Sequence, residues 1–460
     1  MKKSRLLALS MGTVLTLTML PGNSASPEQA LIEKDTTRSN ALGLLVLKRM
    51  FDQKVSPDGN IVMSPAGIAS TLAILQPGSR GDTKDALDHV LGQSTDGVQA
   101  FQVWQNIRQH SRIAFRQAER VFLSNKFAID DFYPSQAMVT RLDLAQNPEQ
   151  STQSINQWVA QQTNGAFQLT LTDGSVGEQT PMVAVGAFTF SGIWETPFPA
   201  SSVTKGNFRV GSQNVETSLM THEVRATYAT TPDYTMLALP YAPRTTDGKT
   251  PSSTPLLMVM IMPSESSTLR NFLRDLTPEK LQGILPSSPP CKVRATIPAF
   301  KTVTAYSPSL KPFLEFAGLG VLFSPSQADF SGLVATPPAT PLFLGDFYQQ
   351  CMVTVTAVND AQNPPEPLSG TSSPEEASST VIPAIRIDRS FFWCIYDPNT
   401  GNIIFMGTEE DPRRLIPNPY DVEENQNNLS EPDSLSPLNR LHRQERDHTL
   451  EKLQTAPTES

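Results

Sequence analysis

The feature that most constrains this chain is a proline-rich segment, residues 354–387, that separates two predicted core strands. Residues 352–358 alternate apolar and polar side chains as a half-buried strand does. Residues 391–396, the turn Asp-Pro-Asn-Thr-Gly and a second apolar run predict a hairpin. The segment contains Pro364, Pro365, Pro367, Pro374 and Pro383. Proline has no backbone N–H to donate, so this segment is poorly suited to become a central strand.

Composition favours one large domain with tails. The length of 460 residues fits a mixed domain of about 370 residues plus two tails. Helix-like and strand-like patterns are mixed without an internal repeat, which favours the α+β class. The formal net charge of −9 argues against a nucleic-acid binder, because phosphate recognition needs a basic surface.

Residues 1–25 have the three regions of a secretory signal peptide. Three basic residues precede an apolar run at residues 6–20, and small residues follow up to Ala25. The alternative is a membrane anchor, but the run is shorter than the roughly 20 residues that span a bilayer. We therefore expect a protein that is secreted to the extracellular space and does not bind membranes.

Local patterns place several helices and strands. A helix is predicted at residues 39–51, and Ser64-Pro65 predicts the start of another over residues 66–76, because proline is tolerated in a first turn. A third, at residues 83–91, is expected to end at Gly92. Strands are predicted at residues 120–127, 181–190, 235–239 and 256–262.

Several motifs resemble the serpin family of serine protease inhibitors. Residues 60–65 and 387–392 are similar to its opening and closing motifs, and the resemblance extends from about Ser39 to Pro412. The motifs between them follow the family's order, at residues 155–159, 163–165, 190–194, 237–241, 297–301, 329–333 and 398–401. Leu75-Gln76 and the ending at residues 405–407 look most like the plasminogen-activator-inhibitor clade.

The resemblance implies an α+β serpin domain at residues 26–412. It implies three β-sheets, about nine helices and an exposed reactive-centre loop at about residues 358–387. In the family this loop is bait for a serine protease, and its N-terminal part inserts into the large sheet after cleavage, which traps the acyl-enzyme. The expected protein is a monomer and not an enzyme, it has no cofactor or metal, and its partner is an extracellular serine protease.

The hinge of the loop departs from the family pattern of Gly-Thr followed by alanines. An ungapped match places the hinge at residues 359–367, and a gapped match moves it a few residues later. The hinge residues are Asn359, Asp360, Pro364, Pro365 and Pro367. Insertion would bury polar or charged groups and lose ladder hydrogen bonds, at a cost on the order of 5 to 10 kcal/mol. We therefore predict weak or absent inhibition, which leaves a reversible binder, a carrier or a cleavage-released signal.

A second departure concerns a hydrogen-bonded cluster of Ser, Asn and His that the family has beneath the sheet. Ser64 is retained, but the aligned positions here are Gly186 and Gln349. Gly186 has no side chain to bond, whereas Gln349 could replace part of the cluster. The alternative is a neutral substitution in which water fills the site.

The alternative function is a working suicide inhibitor of an elastase-like protease. Family spacing from Asp388 places the scissile bond near Ser379 and Thr380, where small side chains suit an elastase-like primary pocket. Glu375 and Glu376 nearby would discourage many other proteases.

Arg108 and Arg112 lie four apart on a predicted helix, followed by Arg116 and Arg120. One interpretation is a glycosaminoglycan site, but on an acidic chain we expect solvated arginines. The five histidines show no metal-ligand spacing, and we expect the Glu409-Glu410 pair to be solvated.

Three cysteines, Cys291, Cys351 and Cys394, are too few for a disulfide framework. We expect buried free thiols, with one disulfide plus a leftover thiol as the alternative. The polar residues 413–460 are predicted to be disordered. Asn428 begins the sequon Asn-Leu-Ser there and is the predicted glycosylation site.

Overall fold

The structure is a computed structural model that describes residues 27–92, 98–244, 254–304, 309–336, 338, 342–357 and 382–413. The chain divides into two compact units, Met1–Ile416 and Pro417–Ser460. The predicted signal peptide, the hinge residues, Ser379, Thr380 and Asn428 lie outside the described residues. The interpretations of those segments therefore stay predictions.

The described residues form eight α-helices. They are α1 (Pro27–Asp52), α2 (Pro65–Ala73), α3 (Gly81–Leu91), α4 (Val98–His110), α5 (Pro148–Gln162), α6 (Leu269–Asp275), α7 (Pro278–Ile284) and α8 (Lys311–Leu314). Within this part of the chain, no helix is both long and apolar enough to span a membrane. The Ser64 hydroxyl accepts a hydrogen bond from Gly67 N at 2.9 Å, which caps α2 where the Ser-Pro pair predicted a helix start.

Fourteen strands accompany these helices in the described part of the chain. They are β1 (Ile61–Met63), β2 (Ile113–Ser124), β3 (Val139–Leu142), β4 (Met182–Gly192), β5 (Val203–Val210), β6 (Gln213–Thr230), β7 (Tyr234–Pro240), β8 (Leu257–Pro263), β9 (Cys291–Pro298), β10 (Phe300–Val303), β11 (Asp346–Val355), β12 (Ala384–Arg386), β13 (Phe391–Asp397) and β14 (Asn402–Glu409). The strands predicted at 181–190, 235–239 and 256–262 agree with β4, β7 and β8 within two residues at each end. The strand predicted at 120–127 was wrong at its start, since β2 begins at Ile113.

The described strands form two hydrogen-bonded sheets where the resemblance implied three. The larger sheet has nine strands in the order β1-β14-β13-β8-β7-β6-β9-β12, with β5 also on β6. The 18-residue β6 pairs with β5 and β9 along its first part and with β7 at its end, which joins two expected sheets. The α+β class is confirmed.

The smaller sheet has five strands in the order β10-β11-β4-β2-β3. Its two central strands, β4 and β11, run parallel, and their neighbours β2 and β10 are antiparallel to them. One face packs on α2 and α4, and the other face packs on α5. The first face is therefore buried, and the second is covered over part of its length.

Candidate functional site

The centre of the five-stranded sheet is the place where an inserted strand would have to enter. β4 and β11 pair without interruption over nine rungs, from Val183 with Asp346 to Ser191 with Thr354. The sheet is therefore closed between these two strands, and an entering segment must replace their mutual hydrogen bonds with bonds of its own.

Side chains on the α2 side of this strand pair are buried, and those on the α5 side are buried over part of its length. Phe188 of β4 and Cys351 of β11 point towards α2 and are fully buried. Val185 and Tyr348 point towards α5, where Val185 is fully buried and Tyr348 is 6% exposed. On the α5 side, Ser191, Met352 and Thr354 near the loop end of the pair are only partly buried, so a strand between β4 and β11 would have one buried face and one that is partly exposed there.

The structure brings Ser64, Gly186 and Gln349 together beneath this sheet. Gln349 Oε1 accepts from Ser64 N at 2.9 Å, and Gln349 Nε2 donates to Ser64 O at 3.0 Å. The Ser64 hydroxyl is engaged elsewhere, since it donates to Ile404 O at 2.6 Å. Gln349 therefore holds the backbone at the start of α2 and leaves the serine side chain to cap the helix.

Gly186 leaves room for its neighbours in the same region. A Cβ atom at this position would lie 3.0 Å from Phe188 Cε2 and 3.1 Å from Thr71 Oγ1. The Phe188 ring and the Thr71 hydroxyl thus occupy the space that a larger side chain at position 186 would need. A cluster of Ser, Asn and His side chains has no counterpart at these three positions.

Replacing Gln349 with leucine is expected to lower the free energy of unfolding by about 2 kcal/mol, because the buried N–H of Ser64 loses its partner, whereas Ser64 O keeps its hydrogen bond from Ile68 N. Urea unfolding followed by intrinsic fluorescence measures this change. Gln161→Leu, on the exposed side of α5, is the matched control and should change stability little. Equal stability of both variants would show that the Gln349 contacts are dispensable.

Glu119 is a buried acid that lies beside Gly186 in the five-stranded sheet, and the sequence analysis missed it. It pairs with Gly186 across β2 and β4, and it is only 3% exposed. Its carboxyl group accepts hydrogen bonds from the Ser70 hydroxyl and, at 3.2 Å, from Thr71 Oγ1. On the other side, Gln117 Nε2 donates to Glu119 Oε2 at 3.1 Å. Burial raises the pKa of Glu119 to about 7, although these hydrogen bonds oppose the shift.

One charged side chain is linked to this carboxyl through Gln117. Arg108 Nη2 donates to Gln117 Oε1 at 2.8 Å, and its guanidinium stacks on the Phe115 ring. A signal for the buried acid was present in the sequence, because positions 115, 117, 119, 121 and 123 of β2 share one face of the strand. The sequence analysis placed the start of this strand at residue 120, so Glu119 fell outside the predicted strand.

Residues 163–181, here called the strap, connect α5 to β4 and are tied to both neighbouring elements. Asn156 Oδ1 on α5 accepts from Thr170 N and Leu171 N at 2.9 and 2.8 Å, and Asn156 Nδ2 donates to Leu171 O at 2.8 Å. Gln350 on β11 accepts from Thr170 Oγ1 at 2.7 Å and donates to Leu169 O at 3.0 Å. The strap is therefore fixed to β11 by side-chain hydrogen bonds.

Both ends of the predicted reactive-centre loop are anchored in the described residues. Trp194 Nε1 donates to Thr356 O at 2.9 Å, just beyond the end of β11. At the other end, Arg294 N donates to Pro383 O at 2.8 Å and β12 pairs with β9. The loop thus leaves from the five-stranded sheet and returns to the nine-stranded one.

The four arginines considered for glycosaminoglycan binding do not share one helix. Arg108 is on α4, Arg112 lies in the turn that follows, and Arg116 and Arg120 are on β2. Arg120 packs on the Trp158 ring on the α5 side of the sheet, whereas Arg108 packs on Phe115 on the opposite face. The interpretation that placed Arg108 and Arg112 on one helix was wrong.

Two further predictions need correction. Cys351 and Cys394 are buried free thiols as expected, but Cys291, also free, is exposed at the start of β9. Glu409 was expected to be solvated, yet it is 1% exposed and accepts hydrogen bonds from Asn60 Nδ2 at 2.9 Å and Thr302 Oγ1 at 2.6 Å. Burial raises its pKa well above the usual value.

In the described part of the chain, no group of three or more His, Cys, Asp or Glu side chains is arranged to hold a metal ion.

Comparisons with known proteins agree with this architecture. A family model described as Serpin (serine protease inhibitor) matches residues 37–412. Antithrombin-III of Mus musculus is 26% identical over 386 residues, which cover 79% of each chain. Leukocyte elastase inhibitor of Bos taurus is 28% identical over 381 residues, 78% of this chain and 94% of the relative. The crystal structure of native protease nexin-1 with heparin has a TM-score of 0.67 and 24% identity, and covers 84% of this chain and all of that one.

Proposed function

The chain belongs to the serpin family, and from this premise we propose that it is a secreted protein of inhibitor ancestry whose loop inserts poorly or not at all. It then acts on an extracellular serine protease as a weak, reversible binder, and not as a covalent trap. The apolar leader at residues 1–25 supports secretion. The assignment to the plasminogen-activator-inhibitor clade stays a prediction.

The proposal rests on the mismatch between the hinge residues and the surroundings that they would have between β4 and β11. One face of the β4–β11 pair is buried along its length and the other is buried in part, so an inserted strand would have to bury alternate side chains and donate its backbone N–H groups to its neighbours. The hinge offers Asp360, Glu366 and three prolines. At roughly 1 to 3 kcal/mol for each buried group left without a partner, and more for a charge, the total is on the order of 5 to 10 kcal/mol.

The strap adds a second obstacle on the α5 side. Its hydrogen bonds to Gln350 hold it against β11, so that opening the sheet there also breaks these contacts. The free-energy cost of breaking the strap contacts is the same for any inserted sequence. The cost of burying the hinge residues is specific to this loop. The hinge therefore decides the outcome in the proposal.

The test is loop cleavage followed by thermal unfolding. The full chain is cut with a broad-specificity elastase, and the melting temperatures of intact and cut protein are compared by calorimetry. We expect the two temperatures to agree within about 3 °C, because no new strand forms. A rise of many degrees after cleavage would contradict the proposal.

The second candidate function is a working inhibitor of an elastase-like protease. The small residues at 377–381 favour it, and a relative named leukocyte elastase inhibitor is among the similar proteins. A denaturing gel decides between the two functions, since a working inhibitor forms a detergent-stable covalent complex with the protease. We expect only the cleaved chain and free protease.

Heparin binding is not part of the proposal. The similar protease nexin-1 structure is one with heparin, but in this chain the arginines in question lie on different elements and on both faces of β2.

A further inference from the structure

A cavity of about 460 Å³ lies beside α1, far in sequence from the reactive-centre loop. Its walls come from α1, from the end of α3, from the turn between α6 and α7, and from Ala317. The lining is mainly apolar, and Leu42, Leu44 and Val90 are among the buried side chains that form it. Its size is within the range of about 300 to 1,000 Å³ that is usual for small-molecule sites.

The wall formed by α1 has an ordered pattern of charge. Arg38, Ala41, Leu45 and Lys48 follow one another at intervals of three and four residues, so they lie on one face of the helix. Arg38 and Lys48 are separated by ten helical steps, which span about 15 Å. This face therefore presents an apolar stretch with a basic side chain at each end.

Leu45 marks the open side of the cavity. It is 39% exposed, and few other large apolar side chains of the described residues are as accessible. An apolar side chain at the mouth of a concave apolar surface gains free energy when a ligand covers it. The exposed leucine thus indicates where a ligand's apolar part lies.

Lys48 provides the polar contact at one end. Its ammonium group donates to Arg274 O and Leu276 O, both at 3.0 Å, which fixes its position at the cavity wall. An ammonium group has three N–H donors, so a third one remains for an acceptor on the ligand. Burial lowers the pKa of Lys48, although the nearby Asp52 and Asp275 carboxylates oppose the shift.

We propose that this cavity binds a single-chain carboxylate amphiphile of the fatty-acid type. The carboxylate lies at Lys48, and the acyl chain follows Leu45 and Ala41 towards Arg38. Burial of its methylene groups lets an acyl chain of moderate length supply most of the affinity, and the headgroup sets its direction. This binding site is separate from the loop and does not depend on whether the loop inserts.

The experiment compares two probes that have the same alkyl chain and headgroups of opposite charge. The full-length protein is titrated calorimetrically with dodecanoate and with dodecyltrimethylammonium, each below its micellar concentration. We expect dodecanoate to bind at least about tenfold more tightly, because only its headgroup pairs with Lys48. Equal affinities, or no binding of dodecanoate, would overturn the proposal.

Two matched variants locate the site. Leu45→Glu places a like charge in the apolar stretch and is expected to weaken dodecanoate binding at least about tenfold. Leu169→Glu introduces the same charge at a 60% exposed position on the strap and should leave the affinity unchanged. Both positions are exposed, so both variants should fold, which their melting temperatures would show. Equal dodecanoate affinity in both variants would place any binding elsewhere and reject this cavity.

Discussion

Replacing the hinge prolines and acids with alanine is expected to raise the melting temperature of the cleaved protein by on the order of 10 °C or more. The variant carries alanine at Asp360, Pro364, Pro365, Glu366 and Pro367. Alanine restores the missing backbone donors and removes the two charges, so the segment suits a central strand whose alternate side chains are buried. Calorimetry of the intact and elastase-cut variant measures the change.

The control is the single variant Pro383→Ala. Pro383 lies beyond the predicted scissile bond, next to β12, so its replacement should not restore insertion. The intact hinge variant should also melt close to the intact natural chain. If cleavage does not raise the melting temperature of the hinge variant, the hinge is not the barrier to insertion. The same conclusion follows if cleavage raises the melting temperature of the natural chain by as much as that of the variant.

Replacing Glu119 with glutamine is expected to stabilise the protein above neutral pH by on the order of 3 kcal/mol. Burial raises the pKa of Glu119 to about 7 from the ordinary value of 4.5. In this pH interval the folded protein keeps a proton that the unfolded chain releases. The free energy of unfolding of the natural protein therefore falls as pH rises through the interval, and the loss is complete above about pH 7.

Glutamine is neutral at every pH and fits the same contacts. Its amide group can donate to the Ser70 and Thr71 hydroxyls, and its oxygen can accept from Gln117. Variant and natural protein should thus be about equally stable near pH 4 and differ most near pH 8. Urea unfolding across this range measures the difference.

Glu149→Gln, at an exposed position on α5, is the matched control and should show no such pH dependence. A stability difference between Glu119→Gln and the natural chain that stays constant with pH would contradict a buried, proton-binding carboxyl group.

The sequence predicted best what depends on neighbouring residues. Ser64 and Pro65 predicted the start of α2, because capping and first-turn proline are local effects. β7 and β8 were found from their apolar runs, which the core of the nine-stranded sheet requires. The family motifs predicted the rest of the fold, since their order along the chain is preserved.

The failures concern polar side chains whose partners are distant in sequence. Glu119 is satisfied by hydroxyl groups on α2, 48 and 49 residues away, and Glu409 bonds to Thr302, which is 107 residues away. Without these partners, both acids resemble surface residues. The same limit hid the contact between Thr170 and Gln350, which are 180 residues apart. Gln349 was identified only because the family's motif pointed to its position.

The ties of the strap have a consequence for how the molecule fluctuates. Gln350 belongs to the strand that must separate from β4, and it also holds Leu169 and Thr170. Separation of the strands and release of the strap are thus one cooperative opening, with a free energy that includes both sets of contacts. The amide hydrogens of Thr170 and Leu171 should consequently exchange with solvent at the pace of the sheet's interior, although the strap has no regular secondary structure of its own.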